Sequence, residues 1–494
     1  MRIGRVINPK SQILNPKFLL CTSLCLCSLL SGCMVGPKYQ RPPLPAAPAF
    51  KEQPPAGWKE AQPSDSQLKG KWWEIYNDPA LNALEEQVSV SNQNVLAAMA
   101  QYEEARAQVR IARSALYPTV TTSPGYTNSG TSGTLSKAQP SVSLSEYSLP
   151  FDVSYQADLW GSVRHSIRAA AETAQASAAD VENIRLTNQA QLAQDYFQMH
   201  GLDSQEDLLE RTVKAYQEYL ELTQNRFQFG IASGADVALA ETQLYTAQAQ
   251  LIDLEVQRTQ YEHAIAILVG KPPSEVTIPR ALLSAPPPDT PTGVPSALLE
   301  RRPDIAANER MVASANEQIG IAVAALYPSL TISAAGGFES DSITKWLTWP
   351  SRFWSLGPQF TQTLFAGGRL HAQIKVEESA YDATVANYRQ TVLTAFQQVE
   401  DELAALRILE TEATAQDKAV KAAQNALDIS TDQYKQGIAT YLQVILAQSA
   451  DLQNEQTAVA VLTRRLTSSV LLVEALGGGW NASQLPTYEQ IRTK

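Results

Sequence analysis

The sequence predicts a mainly α-helical protein with a small amount of amphipathic β-structure, and it predicts that this architecture occurs twice. Two stretches without proline, 151–271 and 359–484, are rich in Ala, Gln, Leu and Glu, which favour helices. Two short motifs recur in the same order at nearly equal offsets of 210 and 207 residues, which indicates an internal duplication. They are ALYP at 115–118 and 325–328, and GIA at 230–232 and 437–439.

The composition excludes several classes of function. The chain has 494 residues and a formal net charge of −11, and it contains no basic run of five or more residues. Nucleic-acid binding needs a concentrated basic face, so we expect no nucleic-acid partner. No nucleotide-binding or hydrolase motif occurs, and the four histidines are scattered along predicted helices. We therefore expect no enzyme activity, no cofactor and no metal site.

The N-terminus has the pattern of a secretory signal. Basic residues precede an apolar stretch at 18–30, which is shorter than the roughly 20 residues of a transmembrane helix. Residues 30–33 (LSGC) resemble the lipobox of bacterial lipoproteins, where Cys33 would carry a diacylglycerol on sulfur and a palmitoyl group on nitrogen. An ordinary cleavage site beside an incidental cysteine is the alternative. Met34 follows the cysteine, whereas an Asp at that position would resemble a signal for retention in the inner membrane. We therefore expect the lipoprotein to be located in the outer membrane.

A tether and then a helix are predicted after the signal. Residues 33–70 are rich in proline and predict an extended tether. Ordered structure should begin near Trp72, and Asp78 followed by Pro79 predicts a helix N-cap and a first helical residue. From there we expect a single helix up to Leu116.

Long helical hairpins are predicted in both halves. Residues 163–229 contain a single glycine, Gly201, and would form a helix roughly 100 Å long. Apolar residues then recur at seven-residue steps, which is typical of a coiled-coil seam. The steps are Val237, Leu244, Leu251 and Ile265 in the first half, and Ile445, Leu452, Val459, Leu466 and Val473 in the second.

Amphipathic strands are predicted after each ALYP motif. The clearest runs from Tyr147 to Leu159, where apolar and polar residues alternate. Such a strand suits a boundary between lipid and water, and an exposed soluble hairpin is the alternative. Pro150 marks a bend or a bulge within it. Weaker strands at 119–126, 329–338 and 355–365 complete two strands in each half.

Four strands do not close a barrel by themselves. An open sheet edge in lipid leaves backbone groups unpaired at a cost of several kcal/mol each, so we expect the chain to oligomerise. Two copies would give eight strands with a filled interior, and three would give twelve with the beginning of a lumen. The periodicity leaves both open. Aromatic residues near the second hairpin suit either an interfacial belt or a packed loop, namely Trp346, Trp349, Phe353 and Trp354.

Four further features of the sequence carry a family resemblance. They are Cys33 with VGPKY at 35–39, WW at 72–73 with DPAL at 78–81, LERRPDI at 299–305, and the two LYP helix ends. Pro303 and Asp304 also suit the first turn of a helix, which favours a proline and an acid. With these motifs, almost all of the mature chain resembles the outer membrane factor (TolC-like) family, in its lipoprotein efflux (NodT-like) branch of tripartite RND-type pumps.

The resemblance implies a homotrimer in the outer membrane of a Gram-negative type envelope. It implies a twelve-stranded β-barrel, four strands from each chain, continued by a long periplasmic α-helical coiled-coil barrel. The implied function is a passive exit duct for small molecules such as drugs and toxic compounds. The implied partners are a periplasmic adaptor (membrane fusion) protein, an inner-membrane RND-type transporter and outer-membrane lipid. The resemblance also implies that the transporter, and not the duct, selects the substrate.

The resulting division of the chain has five parts. A signal peptide at 1–32 and an acylated tether at 33–70 precede two efflux repeats and a C-terminal tail. The first repeat is 71–295, with a β-hairpin at 119–159 and a helical hairpin at 163–268; the second is 296–480, with a β-hairpin at 329–366 and a helical hairpin at 369–476; the tail is 481–494.

In the family, the far ends of the helical hairpins form the gate. Here these ends contain the turn residues Gly230 and Gly437. By resemblance, Tyr434 matches a gate tyrosine and Asp236 an acid on the neighbouring hairpin, although a solvated Asp at a helix start is the alternative. Gln443, with Leu446, stands where relatives often carry aspartates around the pore, so a strong carboxylate ring is not expected.

Two other functions stay open at this point. A coiled-coil outer-membrane lipoprotein with a structural or adhesive role would explain the helices and the anchor, but not the four amphipathic strands. An outer-membrane channel of a protein secretion system would keep the architecture and change the cargo. The lipobox at Cys33 and the motif at 302–304 favour the small-molecule branch.

Overall fold

The structure is a computed structural model that describes residues 34–44, 49–52, 70–130, 132, 143–288 and 298–493. The predicted signal segment and Cys33 lie outside the described residues. The helices are α1 (Pro79–Ser91), α2 (Gln93–Ser114), α3 (Ser162–Gln228), α4 (Gly234–Leu268), α5 (Leu298–Arg301), α6 (Pro303–Ala324), α7 (Arg369–Lys435), α8 (Tyr441–Ala475) and α9 (Tyr488–Thr493). The strands are β1 (Thr119–Thr122), β2 (Gly125–Gly130), β3 (Ser143–Ala157), β4 (Ser329–Ser340) and β5 (Arg352–Thr361).

The helix predicted from Pro79 to Leu116 is two helices, so that prediction was wrong in one respect. Asp78 caps α1 as predicted, because its carboxylate accepts hydrogen bonds from the first backbone N–H groups. Asn92 then adopts an extended backbone, and its side-chain oxygen accepts hydrogen bonds from the first N–H groups of α2. An asparagine that bonds the backbone locally competes with helix continuation, so a second helix begins there.

The predicted duplication and the long helical hairpins are confirmed. Helices α3 and α7 have 67 residues each, α4 and α8 have 35 each, and α2 and α6 have 22 each. At 1.5 Å per residue, the two longest span about 100 Å. Each of these starts after a glycine with a left-handed backbone, Gly161 and Gly368. Among the described residues, no helix has the length and apolar character to cross a bilayer.

The helices lie side by side in a fixed order. Near its start α3 packs against α2 and α6, and farther along it packs against α4 and α8. Helix α7 packs against α6 and α8. The lateral order is therefore α2 with α4, then α3, then α6 with α8, then α7.

Two joints place short helices end to end. At the first joint, α4 ends against the start of α2, where the Asn92 side chain donates a hydrogen bond to the Leu268 carbonyl at 2.7 Å. At the second joint, α8 ends against the start of α6, where Arg302 Nη1 donates to the Ala475 carbonyl at 3.1 Å. Each pair of short helices thus continues alongside a single long helix.

One antiparallel sheet lies at the end of the helical layer where α2 and α6 end and α3 and α7 begin. Its order is β1–β3–β4–β5, and β2 also pairs with β3. Strands β1 and β2 share one register against β3, since Thr122 lies opposite Phe151 and Gly125 lies opposite Ser148. They form one strand line interrupted at Pro124, so the sheet has the four predicted strand lines. Strand β3 ends at Ala157, two residues before the predicted end.

The segment predicted as an extended tether packs against the helices where it is described. Val35 N–H donates to the Trp160 carbonyl at 3.1 Å, and Tyr39 donates to Glu309 on α6. Farther along, the Glu400 carboxylate on α7 accepts hydrogen bonds from two consecutive backbone N–H groups at 51 and 52. We call the described residues 34–44 and 49–52 the strap, because their contacts lie first beside α3, then on α6 and then on α7.

Candidate functional site

The sheet has two edges that pair with no other described strand. The β1/β2 strand line pairs only with β3, and β5 pairs only with β4. The four strand lines are antiparallel, so these two edges run in opposite directions. An edge of β5 can therefore form an antiparallel ladder with the β1/β2 edge of a second copy.

The helical layer ends at the same two sides as the sheet. Helix α2 leads into β1 and lies above α4, whereas β5 leads into α7. These outer helices carry exposed apolar side chains, which mark association surfaces on long helices. They are Tyr245, Ile252, Val256 and Ile267 on α4, and Val376, Leu393, Ile408 and Ile429 on α7.

One face of the sheet is apolar and the other is polar. The register places Tyr155 beside Ile332 and Leu330 beside Phe360 on the apolar face. On the other face Ser154 lies beside Ser333. Large apolar side chains of the first face are exposed, including Leu356 and Phe360. This is the alternation required of a sheet with lipid on one side and water on the other.

The aromatic residues near the second hairpin divide between the two predicted roles. Trp346 packs against Tyr147, with 6.0 Å between the two ring centroids, and belongs to a packed loop. Trp349 and Trp354 are 73% and 81% exposed and suit an interfacial position. The Arg352 guanidinium lies 3.7 Å from the Trp349 ring centroid.

The far ends of the two helical hairpins meet in an apolar cluster, which we call the tip cluster. Its tyrosines Tyr434 and Tyr441 lie 5.3 Å apart between ring centroids. The buried members are Tyr216, Leu220, Ala240, Leu244, Ala247, Tyr434, Tyr441, Val444 and Ile445. Both hairpins contribute, so the tips of one chain form one packed unit.

Arg226 links the two tips, and the sequence analysis did not identify it. Its Nη1 donates to the Tyr434 carbonyl at 2.7 Å, and its Cζ lies 4.4 Å from the Tyr434 ring centroid. The Tyr434 hydroxyl has no hydrogen-bond partner within the described part of the chain. The partners are 208 residues apart, so no local signal marks the pair. A cation–π contact of this kind contributes about 0.5–2 kcal/mol.

The predicted gate residues Asp236 and Gln443 hold equivalent positions at two helix starts. Each is the third residue of its helix and completes a capping box, with Ser233 for Asp236 and with Thr440 for Gln443. Asp236 accepts hydrogen bonds from the Ser233 N–H and hydroxyl, both at 2.8 Å. A helix-capping role therefore accounts for both side chains within one chain.

The predicted turn glycines lie just beyond the ends of α3 and α7. Gly230 and Gly437 have φ angles of 71° and 78°, which are in the left-handed region. Exposed apolar residues surround the turns, and they are Phe227, Phe229, Ile231, Ile438, Leu442 and Leu446. An exposed apolar end on a long hairpin is a surface for association.

Asp451, on α8 close to the tip cluster, is a carboxylate with a raised pKa. Burial, followed by the nearby Glu455 and Asp428 carboxylates, raises its pKa to about 6. One of its carboxylate oxygens is buried without a hydrogen-bond partner in the described structure. Burial and Asp451 together raise the pKa of Tyr216 to about 12. No group of three or more potential metal-ligating side chains occurs among the described residues.

These features define a class of protein, a channel subunit that is completed by further copies. An amphipathic sheet with two complementary edges continues, strand line by strand line, into helices about 100 Å long. The chain matches the outer membrane efflux protein family twice, over residues 84–271 and 294–478, and it belongs to this family. The family is one of channels, which is not an enzyme class.

Individual relatives and structures agree with this assignment. The probable efflux pump outer membrane protein TtgC of Pseudomonas putida is 31% identical over 455 residues, covering 92% of this chain and 94% of the relative. The pyoverdine export outer membrane protein OpmQ of Pseudomonas aeruginosa is 29% identical, covering 92% and 97%. The solved outer-membrane channel OprN has a TM-score of 0.84 and 26% identity, covering 91% of this chain and 100% of that one. The predicted fold class, efflux function and outer-membrane location are confirmed.

Proposed function

We propose that three copies of the chain close into one duct by pairing β5 of each copy with the β1/β2 strand line of the next. One observation carries this proposal: the strand lines and the helices follow the same lateral order. The two open edges of the sheet therefore lie on the same sides of the chain as the two open edges of the helical layer. Head-to-tail pairing of this kind generates a closed ring when the rotation from one copy to the next closes after a whole number of copies. Twelve strand lines leave a lumen, whereas eight would be filled by side chains.

The same proposal assigns the outer helices to the contact between copies. The exposed apolar stripe on α4, which includes Ile252, would pack against the exposed apolar side chains on α7 of the neighbour. Burial of such side chains stabilises association by about 25 cal/mol per Å² of apolar surface. The duct is then passive, and the exported solutes are small molecules. Relatives are named as outer membrane proteins of a toluene efflux pump, of an antibiotic efflux pump and of pyoverdine export.

We infer that the partners are a periplasmic adaptor and an inner-membrane RND-type transporter. The exposed apolar residues at the hairpin tips, such as Phe229 and Leu442, are the surface for the adaptor. The lipid anchor stays a proposal, with Cys33 as the acylated residue. Mass spectrometry of the N-terminal peptide tests it, since Cys33→Ser should abolish the added acyl mass and an unchanged lipid would contradict it.

The closure proposal is tested by a paired substitution on α4. Ile252→Arg places a charge in the apolar stripe and should abolish trimer formation and raise accumulation of a fluorescent efflux dye several-fold. Gln257→Arg is the matched control, since Gln257 is exposed about 140° around the same helix and lies outside the stripe. Normal trimer and normal efflux in Ile252→Arg would contradict the proposed contact.

We propose a gate at the tips in which Arg226 joins the hairpins within each chain and Tyr434 bonds Asp236 of a neighbouring hairpin in the assembled ring. Tyr434→Phe removes only the hydroxyl, and Tyr434→Ala also removes the ring under Arg226. If the hydroxyl latches the gate, both variants should admit more of a large antibiotic such as vancomycin. Leakage in Tyr434→Ala alone would leave Arg226 as the link and reject the latch. Arg211→Ala, an exposed arginine on α3, is the control.

A further inference from the structure

The internal duplication relates the two sides of the helical layer. Helices α3 and α4 correspond to α7 and α8 at an offset of 207 residues, and α2 corresponds to α6 at an offset of 210. Within one chain, α3 packs against the pair formed by α6 and α8, and we call this contact the inner seam. The same contact made by α7 would need α2 and α4 of a second copy, and we call that contact the outer seam.

Apolar residues that are exposed on α7 have duplicates that the inner seam buries. Leu393 on α7 is 47% exposed, whereas its duplicate Leu186 on α3 is 8% exposed and lies at the joint of α6 and α8. Val376 on α7 is also exposed, and its duplicate Ala169 is buried against α6, where the Ser314 hydroxyl donates to the Ala169 carbonyl at 3.0 Å. Positions that are buried in one repeat and exposed in the other indicate an edge that a further pair of helices covers.

One position of the inner seam brings two helix backbones close together. Gly201 on α3 is buried, and a Cβ at this glycine would clash with the Thr463 side chain on α8. The duplicate of Gly201 is Ile408 on α7, and the duplicate of Thr463 is Val256 on α4. Both residues are apolar, and each is 55% exposed in the single chain. A repeat of the inner seam would therefore place Ile408 against Val256 of the next copy.

The duplication also gives a register for the open edges of the sheet. Strand β3 corresponds to β5 at an offset of 207, and β4 corresponds to the β1/β2 strand line at an offset of 210. Within one chain, Ser148 on β3 lies opposite Glu339 on β4. The corresponding pair between copies is Ser355 opposite Ser129. Both serines belong to the polar face, whereas a register shifted by one residue would join the polar face to the apolar face.

We propose that the outer seam repeats the inner seam residue by residue, with Ile408 against Val256 and Ser355 opposite Ser129 of the next copy. This inference rests on the proposed closure of the ring and adds the register of its contacts. Helix axes lie about 8–10 Å apart, depending on the side chains at the contact. Glycine meets threonine in the inner seam, and isoleucine meets valine in the outer seam, so the helices stand farther apart between copies than within a copy.

Disulfide cross-linking in outer-membrane preparations tests the helical part of the register. Val256→Cys combined with Ile408→Cys should give covalent trimers under mild oxidation, because the two Cβ atoms would come within disulfide reach. Each single-cysteine variant is a control for Cys33 and should stay monomeric on a denaturing gel without reductant. The matched control pair is Val256→Cys with Asp401→Cys, since Asp401 is exposed on α7 and lies about 10 Å from Ile408 along the helix. That pair should cross-link about tenfold less, because its Cβ atoms lie outside disulfide reach.

A pair of serines tests the part of the register that lies in the sheet. Ser355→Cys combined with Ser129→Cys exchanges only oxygen for sulfur, so the protein should fold as the wild type does. This pair should also give covalent trimers. The shifted pair, Ser355→Cys with Thr127→Cys, is displaced by two residues along the same face and should cross-link several-fold less.

The outcomes separate the register from the closure of the ring. A trimeric molar mass in detergent without cross-links at either expected pair would overturn the register and keep the closure. More cross-linking in a shifted pair than in the expected pair would overturn the register as well. Cross-links at only one expected pair would also contradict the proposal, because a single operation places both pairs. A monomeric mass would reject the closure and the register together.

Discussion

The two end-to-end joints share a backbone and differ in their side chains. In each joint a glycine with positive φ, Gly270 or Gly477, lets a carbonyl oxygen from the residue just before the bridging residue approach to 2.1 Å of where a Cβ would stand. Those carbonyls belong to Ser91 and Arg301, which are 210 residues apart. The duplication therefore preserved the close approach of the backbones.

The hydrogen-bond chemistry of the joints diverged. Asn92 bridges the first joint with a neutral amide that also caps α2. Arg302 bridges the second joint with a buried guanidinium, which pairs with Asp304 at 2.6 Å and donates to Gln398 at 2.7 Å. The helix ends therefore define the geometry of the joint, and we expect the residue before the second helix to set its strength.

The largest effect should come from filling the shared glycine position. Gly270→Ala and Gly477→Ala each force a Cβ against a backbone carbonyl in a left-handed conformation, so each should lower the free energy of unfolding by about 3 kcal/mol. Denaturant titration of the helical circular dichroism measures this. Gly437→Ala is the control, because its φ is 78° but nothing lies within 4 Å of its Cβ. A loss of stability in only one of the two variants would contradict the equivalence of the two joints.

The bridging residues should differ in their effect. Arg302→Ala removes the guanidinium that pairs with Asp304 and donates to the Ala475 carbonyl, so it should cost about 3 kcal/mol. Asn92→Ala removes a cap and one neutral hydrogen bond, so it should cost about 1 kcal/mol. The same titration applies to both. Equal losses would show that the charge at the second joint adds nothing to it.

The two helical hairpins, α3–α4 and α7–α8, should differ in how their local stability responds to pH. Asp451 is equivalent to the buried Leu244, since α8 and α4 are offset by 207 residues. The pKa of Asp451 is raised to about 6 in the folded chain, chiefly by burial. The protonated form is therefore favoured by folding, and that stabilisation is present in acid and is lost as the pH rises through about 6.

Hydrogen exchange of residues 441–451 should accordingly be slower at pH 5 than at pH 7.5, after correction for the intrinsic rate, while residues 234–244 should show no such change. Asp451→Leu, which copies the first hairpin, should remove the difference. An unaltered pH response in that variant would assign the effect to Glu455 or Asp428 instead.

The smallest effects should come from the two capping boxes. Asp236→Ala and Gln443→Ala each remove one reciprocal cap, so each should destabilise the first turn of its helix by about 0.5–1 kcal/mol. Local hydrogen exchange at the helix starts measures this. Asp236 carries a charge that also favours the helix N-terminus, so its loss should be the greater. The reverse order would contradict the capping account.

The sequence was sufficient for features that depend on local pattern. The absence of proline predicted the 67-residue helices, and alternation predicted the four strand lines, because both patterns follow directly from backbone geometry. The break at Asn92 was missed because two effects combine there: its side-chain oxygen caps α2 locally, and its side-chain amide donates to a carbonyl 176 residues away, which no local pattern shows. Arg226 and the strap were missed for the same reason. The acylation site and the division into domains stay predictions.

The molar mass of the purified mature protein in detergent, corrected for bound detergent, tests the central claim most directly. The account depends on complementary edges that one chain leaves open, in the sheet at β1/β2 and β5 and in the helical layer at α4 and α7. It predicts a mass of three chains. A stable monomer that retains its helical content would contradict closure by these edges.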